Sequence, residues 1–462
     1  MNSGPRVERV PGSFRDPDGF VFRRDGIVLR QVNPSFAPHL EALRSSGILE
    51  TGLTLPVEWL GPEAGADDRA IETLRPEPLE FISHPYEWSF GMLKDAALLT
   101  LRLAGEALSR GLVLKDATAF NVQFHRGKPV HIDSLSFEVA REGEPWIAYG
   151  QFCRHFLAPL ALMARTDPGL LRLLRLELDG VPLPLASRLL PWKTRLQPGL
   201  AMHLHAHGRV SGASAAEASP SSPSTPRRTF SKTAHLALLD SLTRTVEGLR
   251  WLPEGTTWAG YTDDNNYAGE SYEAKKHLVA ELLDASGGRV CWDLGANTGD
   301  FSRLAVGRGL RTVAWDLDPA AVERNYRRTK EAGETRLLPL LQDLSNPSPD
   351  LGWGLSERPG LLARADADVI LALALIHHLR IGGLVPLARI ADLFADLAPT
   401  AIVEWVPKED SQVGRLLASR EDVFDDYTET GFEAAFATRF ETLRKAPIPG
   451  TVRTLYHLRR RG

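Results

Sequence analysis

The sequence is poor in cysteine and in long apolar runs, and each shortage excludes a class of protein. Its 462 residues include only two cysteines, Cys153 and Cys291. Two cysteines are too few for a disulfide framework or a cysteine-based zinc site, so we expect both to be small buried residues in a reducing compartment. The longest apolar run, Val369–Ile376, is far shorter than the roughly 20 residues that a membrane-spanning helix needs.

An excess of charge of one sign is also missing. The chain has 58 acidic and 54 basic residues, a net charge of −4, which gives no general electrostatic reason to bind nucleic acid or an anionic membrane. No apolar segment follows the start, so no secretory signal is predicted. With 43% hydrophobic residues the composition is typical of a soluble globular protein. We expect a cytoplasmic protein; its oligomeric state is not indicated.

One segment departs from this globular composition. Residues 211–228 are rich in Ser, Pro and Ala and contain no large apolar residue. Such a segment cannot bury enough surface to offset its chain entropy, which predicts a linker. The linker divides the chain into a first domain over residues 1–210 and a second domain over residues 229–462, each of ordinary size for a domain.

The second domain alternates short apolar segments with amphipathic ones, a pattern typical of a parallel sheet that is covered by helices on both faces. The predicted strands are Val290–Leu294, Thr312–Leu317, Arg336–Leu341, Val369–Leu375 and Ala401–Val406. The predicted helices are Ser271–Leu283, Phe301–Gly307, Ala320–Ala332 and Leu384–Leu397. Two last strands, Arg439–Arg444 and Thr451–Arg459, are expected to close the sheet as an antiparallel pair.

The strongest functional signal is a glycine turn that directly follows the first of these strands. Asp293 ends the strand, and Gly295 and Gly299 precede the next helix. Glycine permits both a tight turn and the close approach of backbone to a ligand. Asp316 lies 21 positions after Gly295, at the end of the next strand, where a carboxylate can accept the hydroxyls of a ribose. This pattern predicts a nucleoside site.

Two classes of nucleoside cofactor compete for such a site. The pyrophosphate of a dinucleotide such as NAD requires G-x-G-x-x-G at a helix N-terminus. The spacing here is G-x-x-x-G, and Asp293 and Asp300 would repel a pyrophosphate. S-adenosylmethionine carries an ammonium and a sulfonium instead, and both cations are attracted by an acidic loop. The charges therefore favour S-adenosylmethionine, with an NAD-dependent Rossmann enzyme as the alternative.

These motifs resemble those of the class I S-adenosylmethionine-dependent methyltransferases, from about Gly255 to the C-terminus. The resemblance implies an α/β fold with a Rossmann-like sheet of seven strands and a cofactor held at four strand ends. The residues that it places at the cofactor are Asp293, Gly295, Asn297, Gly299, Asp316, Leu317, Gln342, Asp343 and Leu373. The chain is also similar to a family of methyltransferases that are associated with nodulation, which fixes no substrate.

The candidate catalytic residues follow the fourth and fifth strands: His377, His378 and Glu404. A neutral histidine can take a proton from a hydroxyl near pH 7, although the pair could simply start a helix. Glu404 could orient a hydroxyl or amine and Trp405 could form an apolar wall; a salt-bridged glutamate and a core tryptophan are equally consistent. Residues 261–267 could form a lid or a surface loop. The methyl acceptor, a small molecule or a protein, is not identified.

The first domain carries a second pattern, in which Asp116, Asn121 and Asp133 resemble the catalytic and metal-binding loops of protein-kinase-like folds. Lys115 and Ser134 depart from that resemblance, and no glycine-rich loop or strand lysine precedes them. We therefore predict a degenerate, α+β kinase-like module that binds substrate or a partner without phosphotransfer. A hairpin with incidental carboxylates is the alternative, and a protein whose two modules only bind is the alternative to an enzyme.

Two further predictions concern the first domain. A β-hairpin is predicted over Phe20–Val32. His203, His205 and His207 alternate just before the linker. Because they lack a carboxylate partner, they are weak evidence for a metal site. We expect a solvated segment there and no metal in the protein.

Overall fold

The structure, a computed structural model, describes residues 6–208, 230–253, 269–418 and 421–462. It divides into two compact units. The first unit contains residues 1–252 and 352–357, and the second unit contains residues 253–351 and 358–462. The predicted linker over 211–228 and the predicted lid over 261–267 lie outside the described residues.

The first unit begins with a five-stranded antiparallel sheet in the order β1-β2-β3-β5-β4. Its strands are β1 Val7–Arg9, β2 Gly19–Arg24, β3 Ile27–Val32, β4 Val57–Trp59 and β5 Glu72–Pro76. Two short antiparallel pairs follow: β6 Leu112–Leu114 with β9 Phe137–Val139, and β7 Val122–His125 with β8 Lys128–His131. The predicted hairpin over Phe20–Val32 is confirmed, with Asp25 and Gly26 turning at positive φ angles of 52° and 82°. The other three strands of this sheet were not predicted.

The described residues of the first unit form several α-helices. They are α1 Ala37–Ser46, α2 Phe90–Ser109, α3 Tyr149–Phe152, α4 Ala158–Arg165, α5 Leu173–Leu176, α6 Leu183–Leu189, α7 Pro198–Leu200 and α8 Lys232–Gly248. Helix α8 follows the predicted linker yet packs on α2, since Leu239, Leu242 and Val246 on one face are buried. The division between the units therefore lies at Leu252, whereas the sequence analysis assigned α8 to the second domain.

The alternating histidines of the first unit are not solvated, so that prediction is wrong. They lie in and just after a π-helical turn, Ala201–Ala206, where His203 and His205 are buried. The imidazole of His203 lies 2.9 Å from the Tyr149 hydroxyl and 2.8 Å from the Ser241 hydroxyl. His205 is bound between two hydroxyls in the same way. No group of residues suited to a metal ion occurs in the described part of the chain.

The second unit contains one seven-stranded sheet in the order β12-β11-β10-β13-β14-β16-β15. The strands are β10 Val290–Leu294, β11 Arg311–Asp316, β12 Leu337–Leu341, β13 Val369–Ala372, β14 Thr400–Trp405, β15 Phe440–Pro447 and β16 Thr454–Arg460. All strands are parallel except β16, which is antiparallel to both neighbours. The predicted α/β sheet with a closing antiparallel pair is therefore confirmed.

The helices of the second unit are α9 Gly269–Ser286, α10 Asp300–Gly307, α11 Pro319–Glu331, α12 Leu387–Leu397, α13 Ser411–Leu417 and α14 Glu429–Ala437. The chain proceeds outward from β10 to β12 and then returns to β13 on the other side of β10. This reversal of strand order opens a crevice at the carboxyl ends of β10 and β13, where open α/β sheets bind their ligands. Within the described residues, no helix is both long and apolar enough to cross a membrane.

The buried histidine of the first unit provides a test of its fold. In His203→Phe the ring still fills the space, but the hydroxyls of Tyr149 and Ser241 lose their partner. We expect the free energy of unfolding of the first unit to fall by about 1–3 kcal/mol in urea titrations followed by circular dichroism. Met202→Ala, at a side chain 53% exposed, serves as control. A variant as stable as the wild type, or a melting temperature that rises with zinc, would contradict this account.

Candidate functional site

A cavity of about 470 Å³ opens at the carboxyl edge of the seven-stranded sheet. It is lined by the turns that follow β10, β11, β12 and β13, by α9 and by the turn that precedes β16. Of the predicted cofactor residues, it brings together Asp293, Gly295, Asn297, Asp316, Leu317, Gln342, Asp343 and Leu373. Gly299 is not among the lining residues. The sequence motifs thus converge on one cavity.

The glycine turn has its shape for steric reasons. Gly295 and Gly299 have φ angles of 75° and 80°, which residues with a side chain rarely adopt. A Cβ atom at position 299 would lie 2.5 Å from the side chain of Asn325 on α11. Gly299 is therefore required for the turn to pack against α11, rather than for contact with a ligand. It also starts α10 as its N-cap residue.

Two carboxylates at neighbouring strand ends hold the turn. Asp293 accepts a hydrogen bond of 2.6 Å from the Ser302 hydroxyl in α10. Asp316 accepts the backbone N–H of Asn297 at 2.7 Å and that of Asp318 at 2.8 Å. Burial raises the pKa of each carboxyl group to about 6. Within the described residues neither carboxylate forms a salt bridge, so the cavity has an acidic wall.

The contribution of Asp300 to this wall is smaller than the sequence analysis assumed. Its carboxylate accepts hydrogen bonds from Arg328 at 2.6 Å and from the Tyr272 hydroxyl at 3.1 Å. Since Arg328 neutralises Asp300, the charge argument against a pyrophosphate rests on Asp293 and Asp316 instead. Asp318, two residues after Asp316, caps α11 by accepting the N–H of Ala320 at 2.8 Å.

The end of β12 offers an unused donor to the cavity. The Gln342 side-chain oxygen accepts a hydrogen bond from the Ser348 hydroxyl at 3.1 Å. Its amide nitrogen is buried and has no hydrogen-bond partner among the described residues. Asp343 accepts the backbone N–H of Ser345 at 2.9 Å and also lines the cavity. A buried donor left without a partner costs free energy, which a ligand with an acceptor at this position would recover.

The two histidines after β13 have different environments. His378 lines the cavity and begins a π-helical turn, and burial lowers its pKa to about 4. His377 is fully buried, does not line the cavity, and its pKa is lowered well below the usual value by burial. Both are therefore neutral at pH 7. Of the pair, His378 is the one in a position to meet a ligand.

Glu404 does not reach the cavity. It is fully buried, with its two carboxylate oxygens 2.6 Å from the Lys275 ammonium and 3.2 Å from the Arg453 guanidinium. Its placement corresponds to the salt-bridged alternative considered from the sequence. Trp405 is a core residue stacked on Phe432, with ring centroids 5.2 Å apart, and it does not line the cavity.

The predictions from sequence missed several lining residues, among them two cations, Lys275 and Arg453. Lys275 could have been recognised, because it occupies the otherwise mostly apolar buried face of α9 between Ser271 and Val279. A lysine at such a position is almost never buried unless it is paired. Arg453 follows a turn and carries no local signal, since its partners come from distant parts of the chain.

The kinase-like residues of the first unit are held by local hydrogen bonds and one ion pair. Asp133 accepts the Ser136 hydroxyl at 2.8 Å and lies 2.9 Å from the guanidinium of Arg30 on β3. Asn121 donates to the same hydroxyl at 3.3 Å. Asp116 accepts the backbone N–H two residues further on at 3.0 Å. The resemblance to kinases stays a prediction.

Comparison with known proteins identifies a full-length relative. No family model matches the chain. The nodulation protein NoeA of Rhizobium meliloti (strain 1021) is 36% identical over 466 residues, which cover 99% of this chain and 97% of NoeA. An identity of this level over whole chains indicates a common fold and a common family.

Similar solved structures resemble only part of the chain. The N-methyltransferase NodS of Bradyrhizobium japonicum WM9 has a TM-score of 0.32 and 12% identity over 42% of this chain and 98% of NodS. Magnesium protoporphyrin IX methyltransferase ChlM of Synechocystis PCC 6803, solved with bound SAH, has a TM-score of 0.31 and 13% identity over 44% of this chain and 96% of ChlM. Likeness at this level assigns no activity or ligand.

The raised pKa of Asp293 predicts a pH-dependent stability. Its carboxyl group has a folded-state pKa of about 6, above the roughly 3.9 of an unfolded chain. The higher pKa of the folded state stabilises the protein fully at pH values below the pKa of the unfolded chain. This stabilisation is lost as pH rises through about 6. As pH rises from 4 to 7, we expect the free energy of unfolding of Asp293→Asn to increase by on the order of 1–3 kcal/mol relative to that of the wild type, as measured in urea titrations.

The matched variant for this test is Ser302→Ala. It keeps the carboxyl group of Asp293 but removes the hydrogen bond that lowers its pKa, so the loss of stability should move to higher pH. A difference between Asp293→Asn and wild type that stays constant from pH 4 to pH 7 would contradict the assignment of a buried, titrating carboxyl group.

Proposed function

We propose that this chain, which belongs to the family of the nodulation protein NoeA, is an S-adenosylmethionine-dependent methyltransferase. The observation that carries the proposal is a pair of carboxylates, buried Asp293 and half-buried Asp316, on the wall of one cavity and without a salt-bridge partner in the described residues. Carboxylates withdrawn from water are costly, and Lys275, the cation that acts on Asp293, is already paired with Glu404. A site of this kind therefore favours a ligand that brings positive charge and hydroxyl donors. The sheet order supports it, because the closing antiparallel pair matches the class I methyltransferases.

The residues present fit each part of this cofactor. Asp316 would accept the ribose hydroxyls, and Gln342 and Asp343 would meet the adenine at the end of β12. Asp293 would face the ammonium group. Bound S-adenosylmethionine would supply an electrophilic methyl group, which the acceptor displaces directly. The protein mainly aligns the acceptor with that carbon, so positioning supplies most of the catalysis.

His378 would contact the acceptor. Its neutral imidazole lines the cavity in the turn after β13, the strand that lies between β10 and β14 in the sheet. An imidazole with a pKa of about 4 is a weak base, so we infer that it accepts a hydrogen bond from an acceptor hydroxyl or amine rather than removing a proton. His377 and Glu404 would act as positioning residues, His377 behind His378 and Glu404 through Lys275.

The remaining proposals rest on the sequence. The acceptor is proposed to be a small molecule or a protein, and the first unit to be a degenerate kinase-like module that binds it or a partner. Arg30 and Ser136 already engage Asp133, which supports binding rather than phosphotransfer. The cytoplasmic location and the absence of membrane and nucleic-acid partners stay predictions.

Calorimetric titration with S-adenosylmethionine, S-adenosylhomocysteine and NAD tests the cofactor. We expect micromolar binding of the first two and none of NAD. Asp316→Asn should weaken binding tenfold or more, about 1.4 kcal/mol, because the amide cannot accept both ribose hydroxyls as a carboxylate does. The control is Asp318→Asn, the same chemical change two residues away, at a helix cap that asparagine also satisfies.

Either of two results would overturn the proposed function. If the folded protein binds neither S-adenosylmethionine nor S-adenosylhomocysteine, the remaining hypothesis is a non-catalytic protein whose two modules only bind partners. NAD binding that Asp316→Asn weakens would instead favour the dinucleotide enzyme.

The affinity for S-adenosylmethionine should also depend on pH. With the pKa of Asp293 and Asp316 at about 6 in the free protein, the carboxyl groups lose protons as pH rises from 5 to 7. A cationic ligand binds the ionised form better, so the dissociation constant should fall over this range. In the double variant Asp293→Asn with Asp316→Asn, the dissociation constant should be high and should not change with pH. A wild-type affinity that is constant from pH 5 to 7 would contradict this.

A further inference from the structure

Two buried cations occupy the part of the cavity that the cofactor motifs leave unexplained. Lys275 on α9 and Arg453 before β16 both line the cavity, yet only 4% and 5% of their surfaces are exposed. Removing two charged groups from water costs free energy, and apolar residues of similar volume could fill the same space at lower cost. Charged side chains retained at a cavity wall therefore point to a ligand.

The counter-charges of these cations lie behind them. The Lys275 ammonium is 2.6 Å from Glu404, and Arg453 is 3.2 Å from the same carboxylate. Arg453 also binds Asp410 in a bidentate manner, with distances of 2.7 and 3.1 Å. Neither Glu404 nor Asp410 is among the lining residues. The two carboxylates thus fix the cations in place. Of these four groups, only the two cations line the cavity.

The position along the sheet separates Glu404 and Arg453 from the nucleoside end. Asp316 and Gln342 follow β11 and β12, on one side of β10. Glu404 ends β14, and Arg453 precedes β16, on the other side of β13. His378 follows β13 and lies between the two groups. The strand ends therefore follow in the order nucleoside residues, the turn with the neutral imidazole, and then Glu404 and Arg453. Lys275 reaches Glu404 from α9 and is also close enough to Asp293 for each charge to affect the pKa of the other.

The surroundings of the cation pair strengthen its attraction for an anion. The ammonium of Lys275 lies 4.7 Å from the centre of the Phe301 ring, and Leu379 and Leu416 line the cavity as apolar side chains. In such surroundings the effective dielectric constant is low, so a charged contact is stronger than in water. Burial lowers the pKa of Lys275, and the neighbouring Glu404 opposes this and favours the charged form.

We propose that Lys275 and Arg453 form a subsite for an oxyanion, a carboxylate or phosphate group, of the methyl acceptor. This inference rests on the proposed methyltransferase function and specifies its substrate class. The anion would be held at the β14–β16 end of the cavity, so that the nucleophile of the same acceptor lies near His378. Arginine binds carboxylate and phosphate through its planar set of donors, and lysine adds a point charge.

The test uses the full chain saturated with S-adenosylhomocysteine and NMR titrations with acetate and, separately, phosphate at constant ionic strength. We expect saturable binding of at least one anion at a single site. The variant Lys275→Gln with Glu404→Gln removes one cation with its counter-charge and keeps an amide pair in place. It should weaken anion binding tenfold or more. Acetate and phosphate together distinguish the two kinds of oxyanion.

The matched control is Arg444→Gln with Glu281→Gln. These residues form another ion pair between α9 and the sheet, at 3.0 Å, but their side chains are 46% and 58% exposed and do not line the cavity. Anion binding should stay within twofold of the wild type. If the double variant at Lys275 fails to fold, Arg453→Lys is the second variant. It keeps the charge but loses the bidentate geometry, so it should weaken anion binding threefold or more.

Three results would overturn the subsite. The first is an absence of saturable anion binding to the wild-type complex, and the second is equal binding in wild type and variants. The third is a tenfold loss of S-adenosylhomocysteine affinity in the Lys275 variant with unchanged affinity for 5′-methylthioadenosine, which lacks a carboxylate; the pair would then hold the cofactor. If the wild type binds no S-adenosylhomocysteine, the proposed function fails, and anion titration of the free protein decides the subsite separately.

Discussion

The carboxylate of Asp316 accepts the backbone N–H of Asn297, and the geometry of the candidate site depends on this hydrogen bond. It connects the end of β11 to the glycine turn after β10, so the two strand ends are held at one distance from each other. A second hydrogen bond, from Ser302 to Asp293, fixes the start of α10 against the same turn. Both carboxylates are thereby placed at the cavity before any ligand arrives, and their desolvation is a cost borne by the folded protein.

Most of the second unit could be predicted from local sequence. The strand Val290–Leu294 was predicted with its observed bounds because a short apolar run there ends at a glycine turn. The predicted strand Val369–Leu375 is too long, since β13 ends at Ala372 and the chain turns through Ala374 with a φ angle of 53°. Periodicity and hydrophobicity do not report such a turn, because they describe burial rather than backbone direction.

The remainder could not be predicted because it depends on contacts between distant residues. The partners of Arg453, Glu404 and Asp410, come from other elements of the sheet, and no local pattern predicts which buried carboxylate an arginine will meet. Helix α8 shows the same limit for domain boundaries. One face of this helix is buried, but the identity of α2 as its neighbour is a property of the folded unit. The composition of a linker therefore does not fix where a domain begins.

Asp293 and Asp316, which form no salt bridge within the described residues, also make the stability of the protein depend on its ligand. At neutral pH their ionised forms weaken the fold, and a cationic ligand that binds only the folded state restores stability by RT ln(1 + [L]/Kd). A hundredfold excess of ligand over its dissociation constant contributes about 2.7 kcal/mol in this way. Since proteases act on unfolded chains, the cellular lifetime of the protein would then rise and fall with the concentration of that ligand.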